Sequence, residues 1–599
     1  MNDSGKCDQH PAGSSGTDDD DRTMTASAWL KKPLWVIHEQ EMQHSSSVER
    51  HLTLLDLWCI GVGGTIGSGI FVLTGYIAHH YAGPSTFGSF IISGMAASCS
   101  ALAYAELAGR LPVSGSTYLY AYVAMGELAA VVAAACLTLE YAVSGAAVAR
   151  SWGDKCVLWI VDQWNIPEAA TYLDPGYGIN PMAFLVSALS VALLLGGVKE
   201  SKGVSNAITN FKVFLVIFMI VGGFCFFNTD NFKPLLPFGT AGVMRGATSS
   251  FFGYLGYDEV CCLAGEALHP QRDMPRAVLA IISTVAVLYV LAAIALTGMQ
   301  PYTTIDDTSA FPAAFSYHGL QWAAQLTAAG EIATLPVVVL ISLMAQPRLQ
   351  QALAKDGLLP GVFGRVDETG NLRAGTWLSG IAMTLLATFC PFGMLDDLIS
   401  AGILVAFSMT NACLVLLRHE SPPSDPNLLA NLLLFYNALC FLTSMMVSYV
   451  QSGALATLFG FFTLLTAMYL WCHCPTSTSF GGSIYRSPTS HLTYFKTPLV
   501  PFLPCLGTFV NWYLISQLEM IGLLLLLVYL GLATIYYYSY GVKHSVGNTT
   551  GWRGGPYEGL ADVDADALLL RTISLPRVSL TSNHEKLDEP AIRDLGEFS

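Results

Sequence analysis

The sequence predicts an all-α polytopic membrane protein of about fourteen transmembrane helices. Its core is expected to be a 5+5 inverted repeat in which helices 1 and 6 are broken, followed by four C-terminal helices. Three observations carry this expectation. Of the 599 residues, 53% are hydrophobic and 12% charged, and the mean hydropathy is +0.50; soluble domains carry about 25% charged residues. About fourteen apolar runs are long enough to span a bilayer, at ~17–25 residues per span. The first and the sixth of these runs are interrupted by glycine.

The runs fall at residues 52–77, 87–107, 123–149, 182–198, 205–227, 244–263, 277–299, 320–344, 376–390, 395–417, 428–450, 455–471, 499–515 and 520–538. This gives a first repeat over 51–227, a second over 244–418 and additional helices over 428–540. The segments 1–50 and 541–599 are expected to be mostly disordered cytosolic tails. Lys and Arg favour cytosolic loops. Lys31, Lys32 and Arg50, then Arg110, Lys199, Arg272, Arg276, Arg348, Arg373, Arg418 and Lys496, occupy alternate connections on the side of both tails. Only Arg150, Lys155, Lys233 and Arg245 are assigned to the opposite loops.

The net charge of −15 gathers in the tails, for example at Asp18 to Asp21. Such runs read as solvated segments, and the lack of a basic patch argues against a nucleic-acid partner. Most of the fourteen cysteines lie in apolar runs, where they behave as small hydrophobes. Cys472-His473-Cys474 has no second ligand pair at metal spacing, so neither a metal nor a cofactor is expected. The first fifty residues are polar and do not read as a secretory signal.

The first run contains LLDLWCIGVGGTIGSGIFVLT, with Gly61, Gly63, Gly64, Gly67 and Gly69 within nine positions. Each glycine weakens a helix by roughly 1 kcal/mol relative to alanine. An unwound stretch at membrane depth leaves N–H and C=O groups that hydrocarbon cannot satisfy. The sixth run repeats the pattern in MRGATSSFFGYLGYDEVCCLAGE, where Gly253 and Gly256 precede Asp258 and Glu259. Charges at that depth must face protein or water. Helix N-termini attract a carboxylate and freed carbonyls accept from an ammonium, so a free amino acid fits both ends. The competing reading is close helix packing through small residues.

Lys212 lies about 10 Å into the fifth run at 1.5 Å per residue. It either snorkels or meets a partner. The sharper expectation is an ammonium docked on carbonyls of helix 1, replacing a fixed sodium ion or exchanging a proton.

Several segments together point to one family: LTLLDLWCIGVGGTIGSGIFVLTG, YAELAGRLPVSGSTYLYAYVAMGEL, AVARSW, GVKES, SFFGYLGYDEV, GEALHPQRDMPRAV, MAQPRLQQALAKDGLLP and VPFLPCLGTFVNWYLISQL. The chain resembles the cationic amino acid transporter family, within the amino acid–polyamine–organocation superfamily. The resemblance implies that Thr65, Ile66, Gly67, Ser68 and Gly69 meet the substrate's carboxylate and amino group. It implies that Phe252, Gly253 and Leu255 supply carbonyls and an aromatic gate, and that Ser342 leaves room for a long basic side chain. Lys212 matches the helix 5 lysine of proton-coupled relatives, where mammalian cationic carriers have asparagine. Glu259 and Glu331 stand where many members have neutral residues, and either could meet a cationic side chain. Glu331 could equally face an outer vestibule. Glu140 could act as a counter-ion for Lys212 or as a proton stop. Glu106 and Arg110 read as a structural or gating ion pair.

The expected activity is secondary active transport of amino acids, cationic ones such as arginine and lysine first, by alternating access with proton coupling. The partners are the amino acid, a proton and the lipid bilayer, with a monomer or weak homo-oligomer. The alternatives are a sensor without flux and a broad neutral carrier. No P-loop, nucleophile elbow or HExxH occurs, so no enzyme is expected. Plasma membrane is the default location. An acidic dileucine pattern at 564–569 makes a lysosomal or vacuolar membrane the alternative.

Overall fold

The computed structural model describes residues 28–34, 36–37, 50–113, 115–164, 173, 178–196, 202–367, 372–477, 494–549 and 551–552. The acidic run at 18–21, the motif GVKES and the dileucine pattern lie outside them. Residues 550–599 form a unit of their own. The described residues are almost wholly helical, and nine of their helices are long and apolar enough to cross a membrane. Shorter apolar helices occur at Leu54–Thr65, Pro181–Leu195 and Phe502–Ile515. This is an all-α multi-pass membrane protein.

Helix α1 (Leu54–Thr65) opens on a reciprocal cap. Asp56 N donates to Thr53 Oγ1, and Thr53 N donates to Asp56 Oδ2 at 3.0 Å, so two amides left without helical partners are satisfied. The helix stops at Thr65, where Ile66 turns extended and Gly67 takes φ −143°, ψ −135°. Two short pieces follow, α2 (Ser68–Phe71) and α3 (Leu73–Ile77). Helix α4 (Thr86–Arg110) then leads to the short α5 (Thr117–Ala124) and to α6 (Glu127–Thr138). A π turn over Leu139–Val143 joins α6 to α7 (Ser144–Trp164). Helices α8 (Pro181–Leu195) and α9 (Lys202–Cys225) follow.

The sixth run breaks in the same way. Helix α10 (Gly239–Phe251) passes through a 3-10 turn at Phe252–Tyr254 and an extended Leu255 before α11 (Tyr257–Cys261). Gly256 between them has φ +112°, which L residues rarely adopt. Next come α12 (Pro270–Met299), α13 (Ala310–Tyr317), α14 (Gln321–Lys355), α15 (Arg373–Phe389) and α16 (Phe392–Arg418).

The remaining helices, α17 (Leu428–Met445), α18 (Gly453–His473), α19 (Phe502–Ile515) and α20 (Met520–Tyr536), line the periphery. Cys440 and Ala467 pack with Tyr436 and Cys505 between α17, α18 and α19. Leu464, Phe461, Leu524 and Leu527 remain exposed. Such a surface suits lipid, since water would penalise roughly 25 cal/mol per Å² of it. Glu106 and Arg110 pair at 3.0 Å, and Arg418 on α16 adds a second contact to Glu106 at 2.7 Å.

Three cations assigned to outer loops sit inside helices instead. Arg150 and Lys155 belong to α7, and Arg245 to α10. Each has an acidic or carbonyl partner that removes the cost of burial: Asp154 and Gly178 O for Arg150, Glu331 for Lys155, and Asp397 for Arg245. The N-terminal tail is likewise not wholly loose, because Ala28 and Lys32 are buried.

Candidate functional site

The two breaks meet face to face. A Cβ built on Gly69 would fall 2.4 Å from the Cα of Gly253, and one on Gly256 would fall 2.9 Å from the backbone N of Thr65. Only residues without a side chain allow this approach. Each unwound stretch therefore lies against the other, with all of Thr65, Ile66, Gly67, Ser68, Gly69, Phe252, Gly253 and Leu255 buried.

The freed carbonyls of α1 are partly claimed from outside the helix. Lys212 Nζ, fully buried on α9, donates to Gly63 O at 2.7 Å. Tyr289 Oη, on α12, donates to Thr65 O at 2.9 Å. Helix α9 tracks α1 through two more contacts, Asn206 Nδ2 to Asp56 Oδ1 at 2.8 Å and Thr209 Oγ1 to Cys59 O at 3.0 Å. The hydroxyl of Ser68, at the first turn of α2, is buried and without a hydrogen-bond partner. Ile70 N and Phe71 N donate back to Gly67 O at 3.3 and 3.4 Å, which leaves the Ser68 and Gly69 N–H groups outside the helical ladder. Together they offer donors to an anionic group.

Carboxylates gather on the other side of the breaks. Ser342 Oγ, on α14, donates to Glu259 Oε1 at 3.2 Å. Oε2 of Glu259 faces the backbone of Gly64, where a Cβ would meet it at 3.0 Å. Glu259, Ser342 and the break in α1 are thus one site. Tyr141 Oη donates to Asp258 Oδ2 at 3.3 Å. Glu140 lies in the π turn before Tyr141, and neither of its oxygens has a hydrogen-bond donor. It is therefore not hydrogen-bonded to Lys212. Such turns often mark functional positions, because one residue is pushed out of the helical register.

Glu331 is placed elsewhere. Lys155 Nζ bonds to it at 2.6 Å and also donates to the carbonyls of Phe71 and Thr308, with both side chains buried. Its charge is already matched, so this geometry ties α7, α14 and the end of α2 together. Removing one partner of a buried pair costs about 3–5 kcal/mol. Glu331→Ala is expected to lower the melting temperature in detergent markedly, and Lys155→Ala to do the same. The double variant should lose much less than the sum of the two single losses. Additive losses would show that the pair is not coupled.

Three contributors had no sequence signal. Tyr289 looks like any aromatic in an apolar run. Asp396 accepts from Ser249 Oγ at 2.8 Å across α10 and α16, and Phe392 stacks edgewise on Phe252. Asp258 was visible only as one of a charged pair.

Interrupted helices packed break against break, in an all-helical body with an apolar exterior, define a broken-helix membrane protein of the solute-carrier kind. The chain belongs to the amino acid permease family: the family's model matches residues 52–472, and that for the C-terminus of the permeases matches 495–545. It is 35% identical over 402 residues to the methylthioribose transporter of Bacillus subtilis, covering 66% of this chain and 87% of that protein. It is 30% identical over 577 residues to cationic amino acid transporter 3, mitochondrial, of Arabidopsis thaliana, covering 84% and 92%. It is also 30% identical over 563 residues to human cationic amino acid transporter 4, covering 84% and 89%.

Proposed function

We propose that this protein is a secondary active transporter of amino acids that prefers cationic side chains and couples their movement to protons by alternating access. The observation that supports it most is the facing pair of breaks, with the unclaimed Ser68 hydroxyl and the Ser68 and Gly69 N–H groups on one side and Glu259 on the other. The donors suit the α-carboxylate. The carbonyls of Gly253 and Leu255, at the break before α11, are the groups we assign to the α-ammonium. Glu259, beside the short Ser342 side chain, suits a guanidinium or ε-ammonium. Lys212, tied to Gly63, is the group we assign to proton coupling, with Glu140 as a further proton carrier. The relatives named as cationic amino acid transporters agree with this reading.

The experiment is uptake of labelled amino acids into proteoliposomes at two external pH values. Arginine or lysine should accumulate more at the lower pH. Uptake that ignores pH removes the coupling, and binding with no counterflow replaces transport by sensing. A charge-assisted hydrogen bond contributes about 1.5–3 kcal/mol, or roughly 10- to 100-fold in affinity. Glu259→Gln is therefore expected to weaken arginine uptake by that factor while sparing a neutral amino acid such as alanine. An equal loss for both would show that Glu259 does not read the side chain. A second reading, a polar solute of another class, is favoured by the methylthioribose relative, so methylthioribose belongs in the same panel.

A further inference from the structure

The segment ahead of α1 is held on the side of the protein that carries both tails. Lys32 Nζ bonds to Asp356 Oδ1 at 2.7 Å and Oδ2 at 2.9 Å, both side chains being 3% exposed. Tyr118 Oη donates to the same carboxylate at 2.7 Å. The backbone is fastened as well: Lys32 N donates to Tyr122 O at 3.1 Å, and Leu128 N to Ala28 O at 3.0 Å. The Lys32 ammonium also stands 5.8 Å from the centre of the Tyr122 ring, within cation–π range. The root of the other tail closes the far side. Val546 N donates to Asp356 O at 3.0 Å, Asn548 Nδ2 to Glu127 Oε1 at 3.2 Å, and Ser545 bonds to Glu127. Tyr122 Oη donates to that same Glu127 at 2.7 Å.

Tyr118 and Tyr122 both belong to α5, so one face of α5 is pinned from both tails. Its other contacts lead to the second half of the broken sixth helix. Thr117 Oγ1 bonds to Tyr104 Oη at 2.5 Å, and the Tyr104 ring packs edgewise on Tyr120 of α5 and on Tyr257, the first residue of α11. Helix α5 is thus linked to α11 through Tyr104 of α4, which touches both. A displacement of α11 away from the core would have to carry Tyr104 and, through it, the pinned α5.

We propose that residues 28–34 are a strap, locked by the Lys32–Asp356 pair, that holds α5 against the α4–α11 contact and keeps the tail-side opening shut until it is released. The inference rests on the alternating-access reading for what opens, but its test does not require transport. The full chain is placed in membrane vesicles with every cysteine replaced except Cys262, which caps the end of α11 and is 1% exposed. A membrane-impermeant maleimide is applied from the tail side. Lys32→Gln and Asp356→Asn should each raise the labelling rate of Cys262 about tenfold, within the range of ordinary coupling free energies. The exchanged pair K32D/D356K should return it toward the parental rate. A second protein keeping only Cys136, buried on α6 away from this face, should label at the parental rate in all backgrounds. If Lys32→Gln does not yield monodisperse protein, Asp356→Asn and the exchanged pair decide the matter. Parental labelling of Cys262 in the single variants, or equal acceleration at Cys136, would overturn the proposal. Absence of uptake by the parent protein, with Cys262 labelling still accelerated in the single variants, would instead count against the transport reading alone.

Discussion

Gly69→Ala is expected to abolish amino acid uptake while the protein still inserts and purifies as a monodisperse species. The new Cβ would sit 2.4 Å from the Cα of Gly253 and 3.2 Å from Tyr289 Oη. Carbon atoms rest at about 3.5–4.0 Å, so the backbones of α2 and of the 3-10 turn must separate by more than about 1 Å. No rotamer change relieves a clash between backbone and backbone. Overpacking of this kind costs about 1–3 kcal/mol, which a protein of this size survives. The site is hit harder, because a displacement of about 1 Å at a positioned group can cost roughly 100-fold. In the proposed site both breaks hold the substrate, and the substitution moves one against the other. Gly88→Ala is the control, since its Cβ would meet only Val243 at an ordinary 3.6 Å. Near-normal uptake in Gly69→Ala proteoliposomes would show that the tight crossing has no part in the working cycle.

The breaks were legible in the sequence because their cause is local. Five glycines in the first run, and Gly253 and Gly256 in the sixth, lower helix stability wherever the chain folds. Glu106 and Arg110 were legible for the same reason, four residues apart on one helical face. What the sequence concealed depends on partners that only the fold supplies. Lys155 resembled a loop cation, yet it is buried against Glu331, 176 residues away. Lys32 resembled part of a polar tail, yet Asp356 lies 324 residues further on. Tyr289 carried no signal, because a hydroxyl on an aromatic ring does not interrupt an apolar run. Composition thus reveals where a helix fails, and long-range pairing decides which charges enter the interior.

Replacing Lys212 by alanine is expected to remove pH-driven accumulation of arginine, reducing it about 100-fold to the level of passive equilibration. Gly63 O lies in the last turn of α1, where the chain leaves the helix before a residue four positions on can donate to it. The Lys212 ammonium takes that place at 2.7 Å. Without it a buried carbonyl is left unpaired, at about 1–3 kcal/mol, and the end of α1 loosens without unfolding. Asn206 and Thr209 still fasten α9 to Asp56 and Cys59, so the variant should retain substrate binding and downhill exchange. Lys212→Arg should not rescue accumulation, because a planar fork with a fixed charge neither fits one carbonyl nor releases a proton. The measurement is arginine uptake with and without an inward proton gradient, beside arginine–arginine exchange in the same vesicles. Loss of gradient-driven uptake with exchange intact separates coupling from binding. If Lys212→Ala accumulates arginine as the parent does, the proton resides elsewhere. Glu140, buried with both oxygens lacking a donor, is then the group to replace next.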